Sequence, residues 1–220
     1  MRVWLADRPG ALGAVASRIG AVGGDVVGID ILERGEGRVI DELTIDLPDA
    51  DLIPLMLTKV AELDAVDVED VRSVIGGLPH PHVDALEIAA NLLGRRSVEA
   101  LFGELVSGVE SSFSAEWTAV VDPEGPVVLA QSTAAPPKPW LEAFVTGTRL
   151  AARDVAAAAQ ADDVAWAGLE ISGLALLVGR SGRPFRARER RQLATLARVA
   201  DHRWHEIVTH QGTSTRTART

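Results

Sequence analysis

The segment Asp7-Arg8-Pro9-Gly10-Ala11-Leu12-Gly13 has residue types and spacing suited to holding a small charged molecule. Proline fixes one backbone angle at a helix start, where its missing N–H costs little. Gly10 lets a ligand approach the main chain closely. The free N–H groups of a helix start offer donors to a carboxylate or phosphate, and the helix dipole favours the negative charge. Asp7 can accept from backbone N–H groups or from a ligand ammonium. Such a loop suits a zwitterion. A structural alternative stands beside this reading: Asp7 as a simple helix cap ahead of a good turn.

Other chemistry is thinly represented. The chain has no cysteine and no tyrosine, so a disulfide, a cysteine nucleophile and Cys-based metal or redox sites are excluded. No Ser-His-Asp order, phosphate loop or HExxH motif is visible. The glycines of Gly20-Ala21-Val22-Gly23-Gly24 end a helix rather than open one. His202 and His205 share a helix face, but a solvated polar face explains that spacing without a metal. His80 and His82 flank Pro81 in a linker. Arginines 180, 183, 186, 188, 190, 191, 198 and 203 form a basic stretch that lacks a helix-turn-helix partner and interleaved aromatics. Trp117, Trp140, Trp166 and Trp204 read as core residues, with one available to line a pocket.

The elements that must position the turn follow from periodicity. Arg2 to Ala6 reads as a strand. Leu12, Val15, Ala16, Ile19 and Val22 mark one face of a helix, which Gly23-Gly24 ends. Asp25 to Glu33 reads as a strand with Val27, Ile29 and Ile31 on one side. It turns through Arg34-Gly35-Glu36-Gly37 into a strand from Arg38 to Leu47, where Leu43, Ile45 and Leu47 face one way. Pro48-Asp49 starts a second helix with the stripe Leu52, Leu55, Met56, Val60 and Leu63. Val66 to Val74 is the last strand. The order β-α-β-β-α-β is the split βαβ plan, with four antiparallel strands and both helices on one face.

This first segment, residues 2–74, resembles the ACT domain family. The matching residues are Asp7-Arg8-Pro9-Gly10-Ala11-Leu12 and Gly23-Gly24-Asp25-Val26. The resemblance implies a ferredoxin-like fold and a free amino acid clasped between two copies. Asp7, Pro9, Gly10, Ala11 and Leu12 would line one side, and Gly24, Asp25 and Val26 the other. Family members that bind amino acids often have asparagine at one or both polar positions, whereas this chain has aspartate at both. We expect Asp7 and Asp25 jointly to hold a ligand ammonium, the two strand ends meeting at one edge of the module. The alternative is an Asp25 that merely solvates a strand edge.

Gly76-Gly77-Leu78-Pro79-His80-Pro81 cannot continue a helix or a ladder, and residues 76–82 read as a linker. Beyond it, helices are expected over Val83 to Leu93 and Ser97 to Phe113. Strands at Glu116 to Asp122 and Val127 to Gln131 form a hairpin. A helix near Trp140 to Leu150 and an ambiguous stretch at Ala156 to Ala159 follow. Strands Val164 to Leu169 and Leu174 to Arg180 come next, then a long helix from Arg186 to Val208. Residues 211–220 are polar and read as a disordered tail. Gly173 to Arg180, then Pro184-Phe185 and Glu189 leading into Leu193, Leu196 and Ala197, resemble a divergent GAF domain over residues 83–208. The resemblance implies an α/β/α sensor or dimerisation unit.

Charge supports two units. Residues 1–79 carry 15 Asp and Glu against 7 Lys and Arg, while the remainder is nearly balanced within a total of -9. The acidic half disfavours nucleic acid or an anionic membrane as a partner. No stretch resembles a signal-peptide core or a membrane span, so a soluble cytoplasmic protein is the expectation. The whole reads as an α+β chain: an ACT-type domain over 1–75, then a GAF-like domain over 83–210. Its expected role is that of a homodimeric, non-catalytic regulator sensing a small metabolite such as an amino acid, with no cofactor. Alternatives are a ligand-free dimeric scaffold or adaptor and a regulatory subunit of an enzyme on another chain.

Overall fold

A computed structural model describes residues 1–74, 81–125, 127–151 and 163–217, with backbone alone at 127, 148–151 and 211–217. Among the described residues the chain is mixed α/β with two antiparallel four-stranded sheets and six helices, and it divides into two compact units.

In the first unit, strand β1 (Arg2–Ala6) leads through a turn into helix α1 (Ala11–Gly20). Val15 and Ile19, four apart, are its buried residues. Strand β2 (Asp25–Gly35) and strand β3 (Arg38–Asp46) form a hairpin. Glu36 and Gly37 turn it with φ of 52° and 75°, the two left-handed residues that a tight hairpin demands. A short 3-10 turn at Ala50–Leu52 is capped by Asp49, whose side chain accepts from the Asp51 N–H at 2.9 Å. Helix α2 (Ile53–Ala61) follows, then strand β4 (Asp67–Asp70).

The strands run in the order β2-β3-β1-β4 with every neighbour antiparallel. Each helix therefore crosses over an inserted strand. Val15 and Ile19 of α1 and Met56 and Val60 of α2 join one core with Val3, Leu5, Val39 and Leu43, so both helices lie on the same face. Several details differ from the periodicity. Strand β4 pairs over four residues only, with a register shift against β1. Leu55, expected in the α2 stripe, is exposed. Val27, Ile29 and Ile31 are also exposed, because β2 is an edge strand.

The second unit begins at helix α3 (Pro81–Gly94), so Pro81 and His82 belong to a helix rather than to the expected linker. Proline suits a first helical turn. The rest of that linker, residues 76–80, lies outside the described residues, as do Ala156 to Ala159. Helix α4 (Val98–Ser112) is capped by Ser97, which accepts from the Ala100 N–H at 3.2 Å. Strands β5 (Trp117–Asp122) and β6 (Val127–Gln131), helix α5 (Lys138–Ala151), strands β7 (Val164–Leu169) and β8 (Leu174–Gly179) and helix α6 (Ala187–Thr217) complete it.

The sheet order is β6-β5-β8-β7, and its alternating side chains feed two cores. Val120, Leu176 and Val178 pack with Leu105 of α4 and Leu193 and Leu196 of α6. Trp117, Ala119, Val121 and Leu177 pack with Leu141 and Val145 of α5. A helix layer therefore covers each face. Helix α6 continues through Thr217, so residues 211–217 are helical where a disordered tail was expected. Once a packed helix is nucleated, each further residue adds a backbone hydrogen bond at modest cost, even in a polar sequence. Residues 218–220 lie outside the description.

Candidate functional site

The turn after β1 is built by its backbone. The Asp7 N–H donates to the Gly37 carbonyl at 2.8 Å, and the Arg8 N–H to the Ala6 carbonyl at 2.8 Å. Gly10 is the N-cap of α1, with φ of 88° and no side-chain capping bond. Asp7 therefore does not cap the helix. Its carboxylate is exposed and makes no hydrogen bond among the described residues. Pro9 precedes the cap instead of occupying the first helical turn. Ala14 is the first residue to donate back along the helix, to the Gly10 carbonyl at 3.0 Å. The N–H groups of Leu12 and Gly13 come before that ladder and are the donors a helix start leaves over. A Cβ at Gly10 would meet nothing within 4 Å, so the space above the turn is open.

Asp25 lies elsewhere. Ala6, the end of β1, pairs with Arg38, whereas Asp25 pairs with Asp46. Eight residues of β3 separate those partners, about 26 Å at the rise of a strand. The expectation that Asp7 and Asp25 share one edge of the module is thus overturned by the register. Strands β1 and β2 run parallel with β3 between them, so the end of one and the start of the other fall at opposite ends. Asp7, Pro9, Gly10, Ala11 and Leu12 form one group, and Gly24, Asp25 and Val26 another. Within one copy of the chain the two groups stay apart. Gly24 also has a packing reason of its own: a Cβ there would fall 2.8 Å from Ile19 Cγ2 and 2.9 Å from Leu47 Cδ2.

Sequence reasoning missed Asp41. It sits in β3 on the helix-bearing face, between the core residues Val39 and Leu43, and is only 3% exposed. Its Oδ1 is buried without a hydrogen-bond partner. Burial pushes its carboxyl above the ordinary carboxylate value, Arg34 opposes the rise, and Asp7 adds to it. The signal was present. Extending the alternation of Leu47, Ile45 and Leu43 back by one step places Asp41 on the apolar side.

The second unit holds a cavity of about 250 Å³ between α5 and the β7–β8 hairpin. Phe144, Val145, Trp166, Leu169 and Leu174 line it, with Glu170 as its one charged wall residue. Trp166 is thus a tryptophan that lines a pocket. Elsewhere in the second unit, the start of the basic stretch is structural. Arg180 is buried, and its Nη2 donates to both carboxylate oxygens of Glu189 at 2.8 Å. Its Nε and Nη1 donate to the carbonyls of Arg183 and Phe113 at 2.7 Å each. The guanidinium also stacks 4.0 Å from the Phe185 ring centre. Asp201 of α6 is likewise committed, accepting from the N–H groups of Ile171 and Ser172 at 2.6 and 3.0 Å. Among the described residues no three His, Asp or Glu side chains are placed to hold a metal, and no helix is long and apolar enough to cross a membrane.

No family model, no curated protein and no solved structure matches the chain.

Proposed function

We propose that the first unit is an ACT-type, ferredoxin-like module that binds a small metabolite carrying an ammonium group, an amino acid above all. The second unit, in this reading, is a GAF-like domain, and the protein is a cytoplasmic, non-catalytic homodimeric regulator. The observation that carries the reading is the turn at Asp7 to Leu12. An exposed carboxylate without a hydrogen bond stands beside a glycine-capped helix start where the Ala11 N–H donates to the Arg8 carbonyl and the Leu12 and Gly13 N–H groups are left over. Acceptor and donors together match a zwitterion. Ligand binding regulates only if the two assembly states differ in affinity for it. A thermal-shift screen of the full chain against the twenty amino acids and common nucleotides tests the reading. At about 100 times its dissociation constant a ligand adds about 2.7 kcal/mol of stability.

A second reading is favoured by the edge of the first sheet. Val27, Ile29 and Ile31 expose 42%, 50% and 45% of their surface on strand β2. An apolar edge of this kind seeks a partner strand, which suits a dimeric scaffold or a subunit that regulates a separate enzyme, with or without a ligand.

A further inference from the structure

The buried carboxylate of Asp41 has an open neighbour. Ile31 stands directly opposite it in the β2–β3 ladder and Ile29 opposite Leu43, so both isoleucines share its face of the sheet. They are about half exposed, whereas Asp41 is almost wholly buried. The result is an apolar shelf along the edge strand with a carboxylate on its inner border. Arg34 pairs with Val39, two residues before Asp41, and belongs to the same face. Diagonal neighbours of this kind lie about 7–8 Å apart. Arg34 is exposed and has no ion-pair partner among the described residues.

A strand position between two core residues favours an apolar side chain, and an unpartnered carboxylate there costs stability. A cationic ligand group at Asp41 offsets that cost. We propose that Asp41 accepts the ammonium of a small apolar α-amino acid, with Arg34 on the ligand carboxylate and Ile29 and Ile31 beneath its side chain. The inference rests on the reading of the first unit as a metabolite-binding module, and it places the ligand ammonium on Asp41 rather than on Asp7. A divalent cation fits poorly, because the Arg34 charge already acts on Asp41 and no three His, Asp or Glu side chains are placed to hold a metal among the described residues. An anion without an ammonium leaves Asp41 unsatisfied. The exposed isoleucines favour an apolar body over a polar one.

Calorimetry on the full chain tests this with three probes: leucine, 4-methylpentanoate, which lacks the ammonium, and 3-methylbutylamine, which lacks the carboxylate. Leucine should bind best. Asp41→Asn should weaken leucine and the amine by about tenfold or more and leave the already poor binding of the acid unchanged. Arg34→Gln, an exposed substitution that serves if Asp41→Asn does not fold, should weaken leucine but not the amine. Asp25→Asn should change nothing at this site. If Asp25→Asn weakens an amino acid while Asp41→Asn and Arg34→Gln do not, the inference is overturned and the two-copy clasp stands. Unchanged affinity in all three variants means that another surface, or a second copy lying on the shelf, explains the isoleucines, and this too overturns it. No binding by the parent to any amino acid overturns both the inference and the reading beneath it.

Discussion

Asp41 and Ile31 face each other across the β2–β3 ladder, yet the carboxylate is buried and the isoleucine is half exposed. This inverts the usual placing of polar and apolar groups. A strand edge that shows isoleucine to solvent and hides an aspartate is expected to have something laid against it.

Asp41 makes stability depend on pH in a definite direction. Its carboxyl is raised in the folded chain, so the folded state holds the proton more tightly than the unfolded state. Its stabilising contribution is full below the ordinary carboxylate value and is lost as pH rises through the raised folded value. At neutral pH the charged group therefore destabilises. Asp41→Asn should be more stable than the parent at pH 7, on the order of 1 kcal/mol, and the gain should shrink as the pH falls below the folded value. Urea unfolding across pH 3 to 8 reads this out, and a variant less stable at every pH would contradict it.

On the second reading, assembly runs through strand β2 and the isoleucines meet a second copy rather than a ligand. Lysine at the centre of an apolar strand edge blocks pairing, so Ile29→Lys with Ile31→Lys should turn a dimer into a folded monomer by light scattering. A parent chain that is monomeric at micromolar concentration would count against the dimer.

Two glycines of the expected site should answer alanine for different reasons. Gly10→Ala meets open space but forces a side chain into the left-handed region, costing about 1–2 kcal/mol. Gly24→Ala drives a methyl against Ile19 and Leu47, and overpacking of this kind costs about 1–3 kcal/mol. Thermal unfolding measures both. Equal stability of Gly24→Ala and parent would mean that the packing there gives way freely.

In the second unit, Glu189→Gln leaves the Arg180 guanidinium buried with its carbonyl partners but without its carboxylate. Breaking a buried pair in this way costs about 3–5 kcal/mol. Circular dichroism should show an early melt for this variant, while Arg191→Gln on the exposed side of α6 should melt with the parent.

Much of the fold was legible from periodicity. Strands β1, β6 and β7 fall on the expected residues, and most other boundaries agree within two or three. Element order and turn glycines explain this, since Gly23, Gly37 and Gly10 all take positive φ where punctuation was expected. What escaped was long-range. The register of β3 decides that Asp7 and Asp25 are far apart, and no local pattern encodes register. The exposure of Ile29 and Ile31 depends on β2 being an edge strand, which alternation alone cannot reveal. Asp41 was readable by alternation but carries no motif. Pro81, expected to break structure, opens a helix, because proline is excluded only from helix interiors.

Isothermal titration of the full chain with each of the twenty amino acids tests the central claim most directly. The account predicts saturable binding of at least one, weakened about tenfold or more when Asp41 is replaced by asparagine. No heat of binding and no thermal stabilisation with any of the twenty would contradict it and leave a scaffold that binds no amino acid.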